Sequence, residues 1–132
     1  MTNARTAIHW LGDIIRWGEK LDRHITGLSR EQFLDDEKTQ DAASKCAEAI
    51  GEAANQLMAL DPTYDSRHPE LQLKNAYKSR NRLSHGYYSV DIESLWLTVS
   101  RSIPSTVAAA RKVLAEHDGG DGAGGGASGG PP

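Results

Sequence analysis

Cysteine is almost missing from this sequence. The one thiol, Cys46, excludes a disulfide framework and a cysteine-built zinc site within a single chain. Its helical spacing with Ile50, Ala54 and Leu57 marks it as a small core residue. Beta-branched residues are sparse and never alternate with polar ones over a useful length, so no strand is expected. No apolar run approaches the roughly 20 residues that a membrane helix needs, and the N-terminus has no basic-then-apolar leader pattern. The expectation is a cytoplasmic protein. Histidines are few, and His9, His24, His68 and His117 look incidental. No two of them stand three or four apart on one helix and no acidic partner shares their face, so neither a metal site nor a cofactor is expected. Of the three tryptophans, none lies in a basic segment. Trp10, Trp17 and Trp96 therefore fit a packed core or a dimer seam better than a base-stacking surface.

What is present is helical periodicity. A first helix is expected over residues 3–25, with Ile8, Leu11, Ile15, Gly18, Leu21 and Ile25 on one face and Gly27 ending it. Ser29 and Gln32 form a capping box that opens a short helix through Phe33 and Leu34. A long helix over residues 38–60 carries Ala43, Cys46, Ile50, Ala53, Ala54, Leu57 and Leu60, and Asp61-Pro62 stops it. Its small residues, Ala47, Gly51, Ala53 and Ala54, permit close approach of a neighbour. Residues 63–69 read as loop, and a fourth helix spans residues 70–85. A fifth begins near Val90, capped by Ser89 or Asp91, and Pro104 breaks or kinks it. A last helix through Val107, Ala110 and Leu114 ends near His117. The fold class is all-α, an antiparallel helical bundle with short connections.

Residues 1–117 form one domain by length. Residues 118–132, mostly glycine with a few Ala, Asp, Ser and Pro, read as a flexible tail that cannot bury enough apolar surface to offset its ordering entropy. A phosphate cradle there is excluded by the lack of a leading strand, a following helix and a closing Lys-Ser/Thr.

The net charge of −3 hides a strong asymmetry. Residues 1–66 hold seven basic and twelve acidic side chains, whereas residues 67–88 hold five basic ones against Glu70 alone. Such a segment in an acidic chain suits a local anionic ligand, although a solvated helix face explains the charges alone. Within it Arg80 falls in the middle of the apolar stripe of Leu73, Ala76, Tyr77, Leu83 and Ser84. A charge there is costly unless it meets a partner or an interface. His85 precedes Gly86, the usual left-handed helix cap, so its imidazole meets the negative helix pole, which favours protonation. A fixed cation beside a group that gives and takes protons suits phosphodiester chemistry without a metal. Glu52, beside Gly51 in the middle of the long helix, reads slightly more readily as a solvated residue than as a functional one.

Arg80, four intervening residues, His85, one residue and Tyr87 resemble the Arg-x4-His-x-Tyr signature of HEPN ribonucleases of the HepT type. Phe33-Leu34-Asp35-Asp36, Ile50-Gly51-Glu52-Ala53-Ala54-Asn55, Val90-Asp91 with Leu95-Trp96, and Ile103-Pro104 also resemble segments of that family. The likeness covers residues 11–114. His68-Pro69-Glu70-Leu71 departs from it, where relatives often have Pro-Trp. The resemblance implies a homodimer whose two Arg/His sets face each other and which cuts RNA without metal, using the ribose 2′-hydroxyl as nucleophile. His85 would move the proton, Arg80 neutralise the phosphate and Asn81 orient one of them, with Lys74, Lys78 and Arg82 binding RNA. Tyr87 would accept AMP, derived from ATP, from a nucleotidyltransferase antitoxin, with the dimer standing alone or within a larger toxin–antitoxin complex. A core tyrosine hydrogen-bonded through its hydroxyl is the alternative for Tyr87, and Tyr88 is a second acceptor. Two other functions stay open: a non-catalytic adaptor that holds Arg80 in a salt bridge, and a nucleotide-binding sensor.

Overall fold

The computed structural model describes residues 2–84 and 91–124. Helix α1 spans Thr2–Ile25, α2 Arg30–Leu34, α3 Glu37–Leu60, α4 Tyr64–Arg67, α5 Leu73–Ser84, α6 Ile92–Leu97 and α7 Ile103–Gly124. No strand occurs among the described residues, and the architecture is an all-α bundle. Helix α3 is central, flanked by α1 and α5, and α7 lies along α1. The core is built from Leu11, Ile14, Leu21, Phe33, Ile50, Leu57, Leu71, Leu73, Leu95, Val99 and Val113, all fully buried. Trp10, Trp17 and Trp96 pack against this core at its margin, and Cys46 is buried within it, where desolvation pushes its thiol pKa up.

Local chemistry accounts for the first three helix boundaries. Gly27 takes φ +85°, a left-handed turn that an L side chain rarely adopts, and so closes α1. The Gln32 backbone N–H donates to Ser29 Oγ at 3.1 Å while Ser29 N–H donates to Gln32 Oε1 at 2.9 Å, completing the capping box. Asp36 caps α3 by accepting from Thr39 N–H at 3.1 Å and Thr39 Oγ1 at 2.6 Å, and these bonds hold its carboxyl below the usual range.

Four expectations are corrected. The stretch read as loop contains α4 and a 3-10 turn, Pro69–Leu71. Burial of Tyr64 and Leu71 pins both turns, and Asp61 Oδ1 accepts from the Thr63 N–H at 3.0 Å. The fourth helix consequently starts at Leu73 rather than residue 70. Gln72 adopts φ 53° between the two helical pieces, and buried Thr106 Oγ1 donates to Leu71 O at 2.9 Å, holding the turn against α7. Pro104 neither breaks nor ends the chain's helix. A π-helical segment, Thr98–Ser102, carries α6 into α7, with Ile103 N–H donating to Thr98 O five residues back. The wider turn accommodates a ring that would otherwise clash with the carbonyl four residues earlier. Finally, α7 extends past His117 to Gly124. Adding a residue to an existing helix needs no new nucleus, which offsets the low helix propensity of glycine.

Candidate active site

Helix α5 packs one side on α3, and the contact is closest at Gly51. A Cβ added there would lie 2.2 Å from Arg80 Cβ and 2.7 Å from the Ala76 carbonyl oxygen. The absent side chain is therefore what lets the aliphatic stem of Arg80 occupy the apolar stripe. The stem's charged end turns to the edge of the seam. Its Nη2 lies 3.3 Å from Glu52 Oε1, and Nη1 donates to Asn81 Oδ1 at 3.2 Å. Glu52 Oε2 accepts from Gln56 Nε2 at 2.8 Å. The chain of contacts runs Gln56, Glu52, Arg80, Asn81. Among the described residues Arg80 Nε is buried with no hydrogen-bond partner, a desolvation cost of roughly 1–3 kcal/mol. The guanidinium itself is a third exposed and its carboxylate partner 40 % exposed.

A polar groove of about 500 Å³ lies between α5 and the π segment. Asn75, Lys78, Ser79, Asn81 and Arg82 line one wall, and Thr98 and Ser102 the other. Among the described residues no carboxylate lines it. Two cations, three hydroxyls and two amides suit an anionic, hydroxyl-bearing ligand. Asp91, the cap of α6, accepts from Ser94 Oγ at 2.5 Å and Ser94 N–H at 3.0 Å, which lowers its pKa, with a smaller contribution from the Arg82 charge.

The sequence-predicted residues thus divide. Arg80 and Asn81 touch, and Asn81, Lys78 and Arg82 share the groove. Lys74 is apart from it: its Nζ lies 3.7 Å from Asp65 on α4, and the side chain is 79 % exposed. His85, Tyr87 and Tyr88 lie outside the described residues. Glu52, read as a solvated helix residue, is instead the ion-pair partner of Arg80. A signal for it existed: a lone carboxylate beside a glycine on one helix, and on another an arginine whose stripe position demanded a partner. Ser79, Thr98 and Ser102 of the groove carried no comparable signal.

Three of the remaining histidines have partners of their own, and two of these are acids, correcting the expectation that no acid shares their faces. His9 Nε2 is 3.9 Å from Asp13 and His68 Nδ1 4.0 Å from Glu70, while His117 Nε2 is 3.0 Å from the Tyr64 hydroxyl. No group of three or more metal-ligating side chains occurs among the described residues, and no helix there is long and apolar enough to cross a membrane.

The all-α bundle of the described residues, with Arg80 set into a helix seam and His85 five positions on in the sequence, agrees with the HEPN class. Residues 14–113 match the family described as ribonuclease HepT-like, and the chain belongs to that family. It is 34 % identical over 96 residues to the "Probable ribonuclease HepT" of Thermococcus cleftensis, covering 73 % of this chain and 84 % of that one. It is 25 % identical over 112 residues to the "Putative RNase MJ0127" of Methanocaldococcus jannaschii, covering 85 % and 90 %. The "Putative RNase TTE0752" of Caldanaerobacter subterraneus subsp. tengcongensis is 26 % identical over 110 residues, covering 83 % and 96 %. No solved structure matches the chain at a significant level.

Proposed function

We infer that this chain is an endoribonuclease that cleaves RNA by transesterification, without a metal, at a site completed in a homodimer. The observation that carries the reading is the placement of Arg80. Its stem is packed against Gly51, its guanidinium lies beside Glu52 and Asn81, and a basic groove lined by no carboxylate among the described residues runs along the same helix. Family membership supports the reaction class. In this reading the ribose 2′-oxygen attacks phosphorus and the bond to the 5′-oxygen breaks. The 2′-hydroxyl proton passes to the imidazole of His85, and the leaving 5′-oxygen takes a proton from the imidazolium of the second protomer's His85. Arg80 neutralises charge gathering on the phosphoryl oxygens. The products are a 2′,3′-cyclic phosphate and a 5′-hydroxyl end. Lys78 and Arg82 hold flanking phosphates in the groove, and Lys74 contributes charge at a greater distance.

The enzyme acts in the cytoplasm as the toxin of a toxin–antitoxin pair. The partner is a nucleotidyltransferase that joins AMP from ATP to the phenolic oxygen of Tyr87, releasing pyrophosphate. Bulk and negative charge beside Arg80 and His85 then exclude the substrate phosphate. Incubating the purified protein with RNA, with and without chelator, tests the reaction. Chelator-resistant cleavage that His85→Ala abolishes, with the dimer intact, is the expected result. Mass spectrometry after co-expression with the partner assigns the modified tyrosine. A second reading, a non-catalytic adaptor, draws on the same Arg80–Glu52 pair as a purely structural bridge. It predicts no RNA cleavage by the wild type or by Tyr87→Phe.

A further inference from the structure

We propose that Glu52 is a positioning residue for Arg80: it aims the guanidinium out of the α3–α5 seam, and Gly51 beside it makes that aim possible. The proposal rests on the nuclease reading above and adds a residue to it. Three observations converge. Gly51 brings α5 so near that Arg80 Cγ would sit 3.1 Å from an added Cβ, so the first part of the side chain is packed against the α3 backbone. Glu52 is the next residue on α3 and meets the other end, 3.3 Å from Nη2. Its second oxygen is occupied by Gln56, which orients the carboxylate before it meets the arginine.

The pair is badly placed as a source of stability. At one third and 40 % exposure its Coulombic gain is screened to no more than about 1 kcal/mol. It also accompanies a buried Nε that has no partner among the described residues. A folding contact would not be built this way, but an aiming contact would. An arginine side chain otherwise loses about 2 kcal/mol of rotamer entropy when a substrate fixes it, and this seam fixes it beforehand. Asn81 Oδ1 accepts one N–H of Nη1, and Glu52 Oε1 holds Nη2 by charge at 3.3 Å. Each terminal nitrogen carries two hydrogens, so one on each remains to face a phosphoryl oxygen together. That arrangement is a two-pronged clamp for an anion. The carboxylate does not repel the substrate strongly, because one oxygen accepts from Gln56 and the other is paired with the Arg80 charge.

Three variants and two measurements test this. Glu52→Ala is expected to lower kcat on the order of 10- to 100-fold, the cost of a misplacement of roughly 1 Å. KM and the unfolding midpoint should change little. Glu52→Gln, which keeps an acceptor at the same place, is expected to restore kcat to within about threefold of wild type. In parallel, arginine side-chain nitrogen resonances report the geometry without any substrate. Rotation about the Arg80 Cζ–Nη bonds should quicken in Glu52→Ala and stay slow in Glu52→Gln, with Arg80→Lys identifying the signal. An Arg80 signal indifferent to Glu52→Ala overturns the positioning role whether or not RNA is cut. Unchanged or raised kcat in Glu52→Ala overturns it too. A wild-type protein that never cleaves RNA while Arg80 loosens in Glu52→Ala instead removes the nuclease reading and leaves the clamp standing.

Discussion

Two helix seams in this bundle are built by the same device and used for different ends. Between α1 and α7, Gly18 lets Val107 approach until an added Cβ would lie 2.4 Å from its Cγ2. An ion pair, Arg111 Nη2 to Glu19 Oε2 at 3.3 Å, closes the rim. Between α3 and α5, Gly51 does the same for Arg80, and the pair to Glu52 also spans 3.3 Å. The difference lies in what fills the glycine's space. In the first seam a valine fills it, and the arginine of the rim pair stands outside. In the second the arginine itself is the packing residue, so a charged head is carried on a packed stem, at the cost of an Nε with no partner among the described residues. A glycine makes a helix contact close, but the residue opposite decides whether closeness serves stability or aim.

The comparison can be broken most directly at Arg80. Arg80→Leu should reduce RNA cleavage on the order of 10³-fold, as removal of a transition-state charge donor does. The thermal midpoint should stay level or rise, because an apolar chain of similar volume replaces a buried unsatisfied N–H. A clear loss of stability would mean that this seam, too, is held together by its ion pair. The next effect in size is Gly51→Ala. Its new methyl meets the Ala76 backbone carbonyl, which has no rotamer to escape into, so a cost of roughly 3 kcal/mol is expected by denaturant unfolding. Activity should fall with it. Gly18→Ala meets only the methyl groups of Val107, and a loss of about 1–2 kcal/mol without a specific effect on cleavage is expected. Smallest is Glu19→Ala, whose rim pair is about half exposed on both sides. A shift within about 0.5 kcal/mol and full activity are expected, in contrast to Glu52→Ala.

Much of the bundle could be read from short-range signals. The Ser29–Gln32 capping box and the Gly27 stop depend on residues within a few positions of one another and appear as read, and of the two caps offered, Ser89 or Asp91, Asp91 is the N-cap. Readings failed where a distant partner decides the local backbone. The turns of residues 64–71 exist because Tyr64 and Leu71 find the core and Thr106 bonds a carbonyl 35 residues away. The π segment before Pro104 is a compromise between a ring that forbids a regular turn and apolar residues, Val99 and Ile103, that need to stay on the buried face. Periodicity alone cannot weigh one against the other.

The candidate site divides along the same line. Sequence determined that Arg80 stands in an apolar stripe, that Asn81 follows it and that His85 lies five residues on, because spacing along a helix is a property of the chain itself. Only the tertiary structure decided that Glu52, 28 positions earlier, is the carboxylate that meets Arg80 and that Lys78 and Arg82 share a groove while Lys74 turns to Asp65. Which side chains face each other across two helices depends on how closely and at what rotation those helices pack. Here a missing methyl group at Gly51 sets that distance.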